Sequence, residues 1–173
     1  MKIALAQLNY TVGDVEGNAS KVIEAIEQAK QKNVDLVIFA EQALSGTPAY
    51  DLLNKATFVE LCEEELERIA EHCDSLTAIV GSPVAGDEGT VSAAVIIERG
   101  EITRRIAKQY VDYRDEMGYI HPSTGPEVIT VAGEQVAVVV GNDLVRVRDC
   151  DQSVTTIINI NARRFRKRVL EAR

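Results

Sequence analysis

Val34-Asp35-Leu36-Val37-Ile38-Phe39-Ala40, closed by Glu41, is the stretch that decides the fold. Only Asp35 interrupts the apolar run. A strand with one wet face alternates apolar and polar residues. A nearly continuous apolar strand is buried on both faces, which is the habit of sheets in α/β proteins. Upstream, Lys2–Leu8 (KIALAQL) is short, apolar and stopped by the Thr11–Gly13 turn, so it reads as a first strand. Between the two, Val22, Ile23, Ile26 and Ala29 recur at helical spacing. They predict a helix over 19–32, capped by Asn18 or Gly17, with Lys30 and Lys32 at the end that favours cations.

Downstream, the spacing predicts a turn at 45–49 and a helix over 57–73. A strand over 77–81, a Gly- and Pro-containing loop over 82–90 and a strand over 91–98 follow. Arg99-Gly100 is a two-residue turn into a strand over 101–107. Residues 108–126 read as irregular. A hairpin around Gly133 joins strands over 128–131 and 135–140. Then come a short helical segment over 143–153, a strand over 155–160 and a last helix over 162–172. No repeat or low-complexity tract appears. The expectation is one mixed-sheet α/β layered domain over 1–173.

Composition narrows the function classes. The chain has 173 residues, 46% of them hydrophobic and 27% charged, which excludes disorder and collagen-like repeats. No apolar run approaches the roughly 20 residues of a membrane span, and the N-terminus lacks a signal-peptide pattern. A cytoplasmic protein is expected. The net charge of −8 argues against nucleic acid or an anionic membrane as partner. That charge is uneven: residues 163–173 carry a net +5, so the remainder carries −13. Cys62, Cys73 and Cys150 have no metal-ligand spacing and read as reduced thiols. No metal or cofactor is expected, the adjacent His72-Cys73 having no further ligand nearby in sequence.

Three positions stand at the ends of apolar strands: Glu41, Lys108 and Gly141-Asn142-Asp143. Strand ends are where α/β proteins assemble sites, because side chains from several strands converge on one rim. A buried Glu beside a Lys supplies an acid/base group and a cation for an oxyanion; the same pair can equally be a structural ion pair.

At these residues the chain resembles a known family. KIALAQLNYTVGDVEGN, the strand ending in Glu41, and Leu44-Ser45-Gly46-Thr47-Pro48-Ala49-Tyr50-Asp51-Leu52-Leu53 look like the start of the nitrilase (carbon–nitrogen hydrolase) superfamily. The likeness is greatest to the glutamine-hydrolysing domain of glutamine-dependent NAD synthetases. It continues through SAAVIIERGEITRRIAKQY, EVITVAGEQVAVVVGNDL and VTTIININ, and so runs over nearly the whole chain. The resemblance implies an α-β-β-α layered sandwich with mixed sheets. It also implies a Glu that moves protons, a Lys that holds the oxyanion and a Cys that attacks an amide or nitrile carbon. Glu41 matches the Glu and Lys108 the Lys. The Cys of a V-x-x-C-E-D type motif falls on Gly141, the next Glu on Asn142, and Asp143 matches. Thr47 replaces an aromatic residue, and Arg163 and Arg164 replace small-residue and Pro positions, while Asp115-Glu116 matches an acidic pair. Glu116, Asn142 and Arg163 become candidate binding positions for a small amide or carboxylate ligand.

A glycine has no thiol. The resemblance therefore implies a non-catalytic domain with a ligand-binding or structural-subunit role. The alternatives are an active glutamine amidase supplying ammonia for NAD synthesis, and an interaction module docking through its basic C-terminal helix. Against the family, 173 residues is short, with the last strands of the sandwich missing. The chain is then either a fragment of a longer product or a C-terminally shortened sandwich; the second is favoured, and is expected to cover its sheet edges by association, as a homo-oligomer or with another subunit.

Overall fold

The computed structural model describes residues 1–111, 118–149 and 154–162, the side chains of 146–149 excepted. The chain runs through β1 (Ile3–Leu5), α1 (Val15–Gln31), β2 (Leu36–Ile38), a 3₁₀ turn (Tyr50–Asn54) and α2 (Ala56–Ala70). Strands β3 (Thr77–Ala85), β4 (Thr90–Glu98) and β5 (Glu101–Ala107) complete a first sheet in the order β1-β2-β3-β4-β5. Strands β6 (Glu127–Val131), β7 (Glu134–Val140) and β8 (Thr156–Ile160) form a second, with a 3₁₀ segment (Gly141–Asp149) after β7. Both sheets are mixed. In the first, β1, β2 and β3 are parallel while β4 and β5 are antiparallel to their neighbours. In the second, β7 pairs antiparallel with β6 and parallel with β8.

The apolar run at Val34–Ala40 is buried on both faces, as its composition predicts. Leu36 and Ile38 face the second sheet, in a core with Ile79, Ile96, Val138 and Ile158. Val37 and Phe39 face the helices, packing with Val22, Ile26, Leu66 and Ile69. Alternation along a strand sends successive side chains to opposite faces, so one strand feeds two cores. The described elements stack as helices, sheet, sheet. No helix among the described residues is long and apolar enough to cross a membrane.

Several boundaries differ from expectation, each for a local reason. Helix α1 starts at Val15 rather than 19, because Asp14 is its cap and accepts from the Gly17 N–H at 3.2 Å. Asn18 lies inside the helix and is fully buried. Its side chain donates to the Thr11 and Leu44 carbonyls and accepts from the Thr11 N–H, tying the loop after β2 to the start of α1. Strand β3 runs on to Ala85, through the Ser82-Pro83 stretch expected as loop. Its pairing with β2 stops at Ile79, so beyond that point one side of β3 has no parallel neighbour to which Pro83 would owe an N–H. Strands β1 and β2 are shorter than predicted, three residues each. The helical segment expected over 143–153 is 3₁₀ from Gly141 to Asp149. The last helix, expected over 162–172, falls outside the described residues from 163 onward.

Candidate functional site

Topology decides which strand ends meet. Strand β2 is parallel to β3, and two antiparallel steps through β4 return β5 to the same direction. The residues that follow β2 and β5 therefore leave from one rim. Glu41 is 3% exposed and Lys108 3% exposed, and Lys108 Nζ donates to Glu41 Oε1 at 3.0 Å. Ser92, near the start of antiparallel β4, donates its hydroxyl to the same oxygen at 3.0 Å. The second sheet joins from the other side: the backbone N–H of Ala162, just past β8, donates to Glu41 Oε2 at 3.1 Å. Glu41 thus bridges both sheets, with Lys108, Ser92 and the Ala162 N–H among its donors.

Gly141, the residue after β7, completes the rim. A Cβ built on it would stand 2.8 Å from Lys108 Nζ, 2.9 Å from Lys108 Cε and 3.1 Å from Glu41 Oε2. Its φ is +55°, a left-handed conformation that favours glycine. The structure therefore brings together Glu41, Lys108 and Gly141, the three positions singled out along the sequence. Asn142 follows, half-buried. Asp143 is fully buried, and its carboxylate accepts from the backbone N–H groups of Gln109 at 2.8 Å and Tyr110 at 2.6 Å. It fastens the chain leaving Lys108 to the segment after β7. Glu116 and Arg163, the other candidate binding positions, lie outside the described residues, as does Cys150.

The remaining cysteines do not supply a nucleophile here. Cys62 and Cys73 are both fully buried in the helix-side core. Burial pushes the Cys62 thiol up to about 12, despite a hydrogen bond with Ser82. Burial likewise pushes Cys73 up to about 12. Such thiols stay protonated at neutral pH, and the thiol form is a poor nucleophile. His72, next to Cys73, turns its Nδ1 to Glu27 at 3.0 Å. Among the described residues, no three His, Cys, Asp or Glu side chains group to hold a metal.

Two contributors were not singled out in the sequence. Ser92 is the one polar residue in the otherwise apolar run Val91–Ile97, a local sign of a buried polar task. Gly81 sits where β3 passes the backbone of Ala40 and Glu41; a Cβ there would be 2.1 Å from the Ala40 carbonyl oxygen and 2.6 Å from Glu41 Cα. Only glycine allows that approach.

The family model for carbon–nitrogen hydrolases matches residues 2–151. The chain belongs to the carbon–nitrogen hydrolase family. It is 36% identical over 150 residues to the glutamine-dependent NAD(+) synthetase of Xanthomonas campestris, covering 83% of this chain and 27% of that protein. The corresponding Aquifex aeolicus protein is 32% identical over 171 residues, covering 94% of this chain and 30% of the relative. The chain thus spans less than a third of the length of these relatives. Among solved structures, the NAD+ synthetase of Acinetobacter baumannii, determined with ADP, superposes with a TM-score of 0.85 at 22% identity, over 95% of this chain and 32% of that one. An amidase from Nesterenkonia sp. superposes with a TM-score of 0.84 at 20% identity, over 98% and 68%. Likeness at that identity shows the nitrilase-type fold, with its two mixed sheets.

Proposed function

We propose that this chain is a non-hydrolysing relative of the glutamine amidohydrolase part of NAD synthetase. In this reading its Glu41–Lys108 pair serves to hold the rim of the sandwich and to contact a small amide or carboxylate ligand, rather than to activate a nucleophile. The observation that carries the reading is the glycine at 141, whose missing Cβ would point at both members of the pair. Acyl transfer through a covalent intermediate needs a thiol or hydroxyl at that point, and a hydrogen atom cannot supply one. The near-complete burial of Glu41 and Lys108 supports a holding role, since an unpaired charge there would be costly.

The opposing reading is an active glutamine amidase, favoured by the retained contact between Glu41 and Lys108. One assay separates the two. Purified protein is incubated with glutamine and released ammonia is measured against a Glu41→Ala control. Equal background rates are expected. Ammonia release that depends on Glu41 supports the amidase instead.

A further inference from the structure

Gln42, the residue after Glu41, has no task in the rim described above. It is 5% exposed, in line with Glu41 and Lys108 at 3% each. Buried amides are normally hydrogen-bonded. Among the described residues, the side-chain bond at Gln42 runs from the Ser45 hydroxyl to the Gln42 main-chain oxygen, at 3.5 Å. None reaches the Gln42 amide group. The amide is not sealed in either: among the described residues, the fully shielded side-chain atoms without a partner belong to Tyr10 and Asn159. The stem of Gln42 is therefore covered while its amide end keeps an opening.

The backbone there is unusual as well. Gln42 has φ +56°, in the left-handed region that a long side chain seldom enters. Asn and Asp tolerate that region by bonding locally to the main chain, which Gln does less readily. Strand β2 sends successive side chains to opposite faces, and a left-handed residue directly after Glu41 ends that alternation. Glycine would take this backbone without strain, and an apolar side chain would suit the burial, as Ala43 and Leu44 beside it do. Gln42 meets neither preference, so neither backbone nor packing explains its amide. Outliers of this kind collect at ligand-contacting positions, and the inference runs from the outlier to the function.

We infer that Gln42 is a ligand-recognition residue beside the Glu41–Lys108 pair, and that it selects a neutral primary carboxamide over the corresponding carboxylate. This rests on the reading of that rim as a ligand-contacting site. An amide carries N–H donors and a carbonyl acceptor side by side. A carboxamide answers with the same two functions reversed, so both are met at once. A carboxylate only accepts, and leaves the Gln42 carbonyl facing a second oxygen. Charge points the same way. Glu41 and Lys108 neutralise each other across 3.0 Å, so the pair offers an anion no surplus positive charge. The buried Asp143 carboxylate adds a negative one.

NMR titration of the unaltered chain with millimolar propionamide and propionate is the test. The Gln42 side-chain NH2 signals are assigned by their absence in Gln42→Met, a change that keeps length and volume. Propionamide is expected to shift those signals and to bind about fivefold or more tightly than propionate. Gln42→Met is expected to weaken propionamide by about fivefold or more, with a melting temperature unchanged or raised, because a partnerless amide is gone. A residue needed only for the fold would lower the melting temperature instead. Gln42→Glu keeps the shape, lacks the N–H donors and is expected to lose the same binding; it decides the matter should Gln42→Met not fold. Propionamide binding equal in the variants and the unaltered chain overturns the inference and leaves the reading of the rim intact. Absence of propionamide binding, or tighter binding of propionate, also overturns it. Conversion of propionamide to propionate in the same spectra, with an affinity that depends on Gln42, supports the assignment of Gln42 and overturns the non-hydrolysing reading.

Discussion

Lys108 Nζ stands 3.0 Å from Glu41 Oε1, and both side chains are all but closed to solvent. The two residues are 67 positions apart, yet each follows a strand of the same sheet running in the same direction. Removing one partner leaves the other charge buried. Lys108→Met is expected to cost about 3–5 kcal/mol in urea unfolding. Glu41→Gln/Lys108→Met is expected to cost less than the two single changes combined, with a coupling of about 0.5–3 kcal/mol. Strict additivity would mean that the contact carries no weight.

Gly141 tests the assignment of the rim. Gly141→Cys places a side chain at φ +55° and against the Lys108 ammonium, so about 1–3 kcal/mol of destabilisation is expected. The new thiol faces the Glu41 carboxylate. Treatment with an electrophilic glutamine analogue is expected to label residue 141 in this variant, and to label it less when Glu41→Gln is added. Peptide mapping reads the outcome; labelling indifferent to Glu41 counts against the assignment.

The native cysteines should behave oppositely. With thiols held at about 12 by burial, Cys62 and Cys73 are expected to resist iodoacetamide at pH 8 in the folded protein and to react fully in denaturant. Mass spectrometry of the native digest would expose an error if either residue were alkylated within minutes.

Asp143 is expected to matter for stability through two backbone groups. Its carboxylate takes the N–H groups of Gln109 and Tyr110. Asp143→Ala removes both acceptors and should cost about 1–3 kcal/mol, while Asp143→Asn, which keeps one acceptor oxygen, should cost less. Thermal unfolding of the three proteins ranks them; a milder Ala variant would refute the clamp.

Acid should weaken the junction at the far ends of the two helices. The His72 hydrogen bond, and then the Lys30 ammonium, hold the Glu27 carboxyl below its usual value. The Lys30 ammonium does the same for Asp74. A carboxyl depressed in the folded state binds its proton more readily once unfolded. Its contribution is therefore full above the ordinary carboxylate range and is lost as pH falls through the depressed value. Melting temperature is expected to drop between about pH 5 and pH 3, and to drop less in Lys30→Met. High salt should shrink the difference between the two, because these groups are exposed.

What could be read along the chain was whatever local pattern encodes. The apolar run at Val34–Ala40 announced a strand buried twice, because side chains alternate faces and both faces had to be apolar. Glu41, Lys108 and Gly141 stood out because strand ends are recognisable without knowing what they face. The resemblance of the segments around them to carbon–nitrogen hydrolases then suggested their roles. Pro83 misled, since its cost depends on whether a strand lies beside it, and β2, far earlier in the chain, stops pairing with β3 at Ile79. Asn18 misled in the same way: a good cap by type, it is instead spent on the Thr11 and Leu44 backbone. The sequence by itself determined the elements, the doubly buried strand and the absence of a side chain at 141. Only the tertiary structure decided that Glu41 also meets Ser92 and the Ala162 N–H, and that Gly81 is the residue letting β3 pass it. Burial follows from patterns a few residues long, whereas a rim or an edge is made by strands distant in sequence, whose directions and packing no local pattern records.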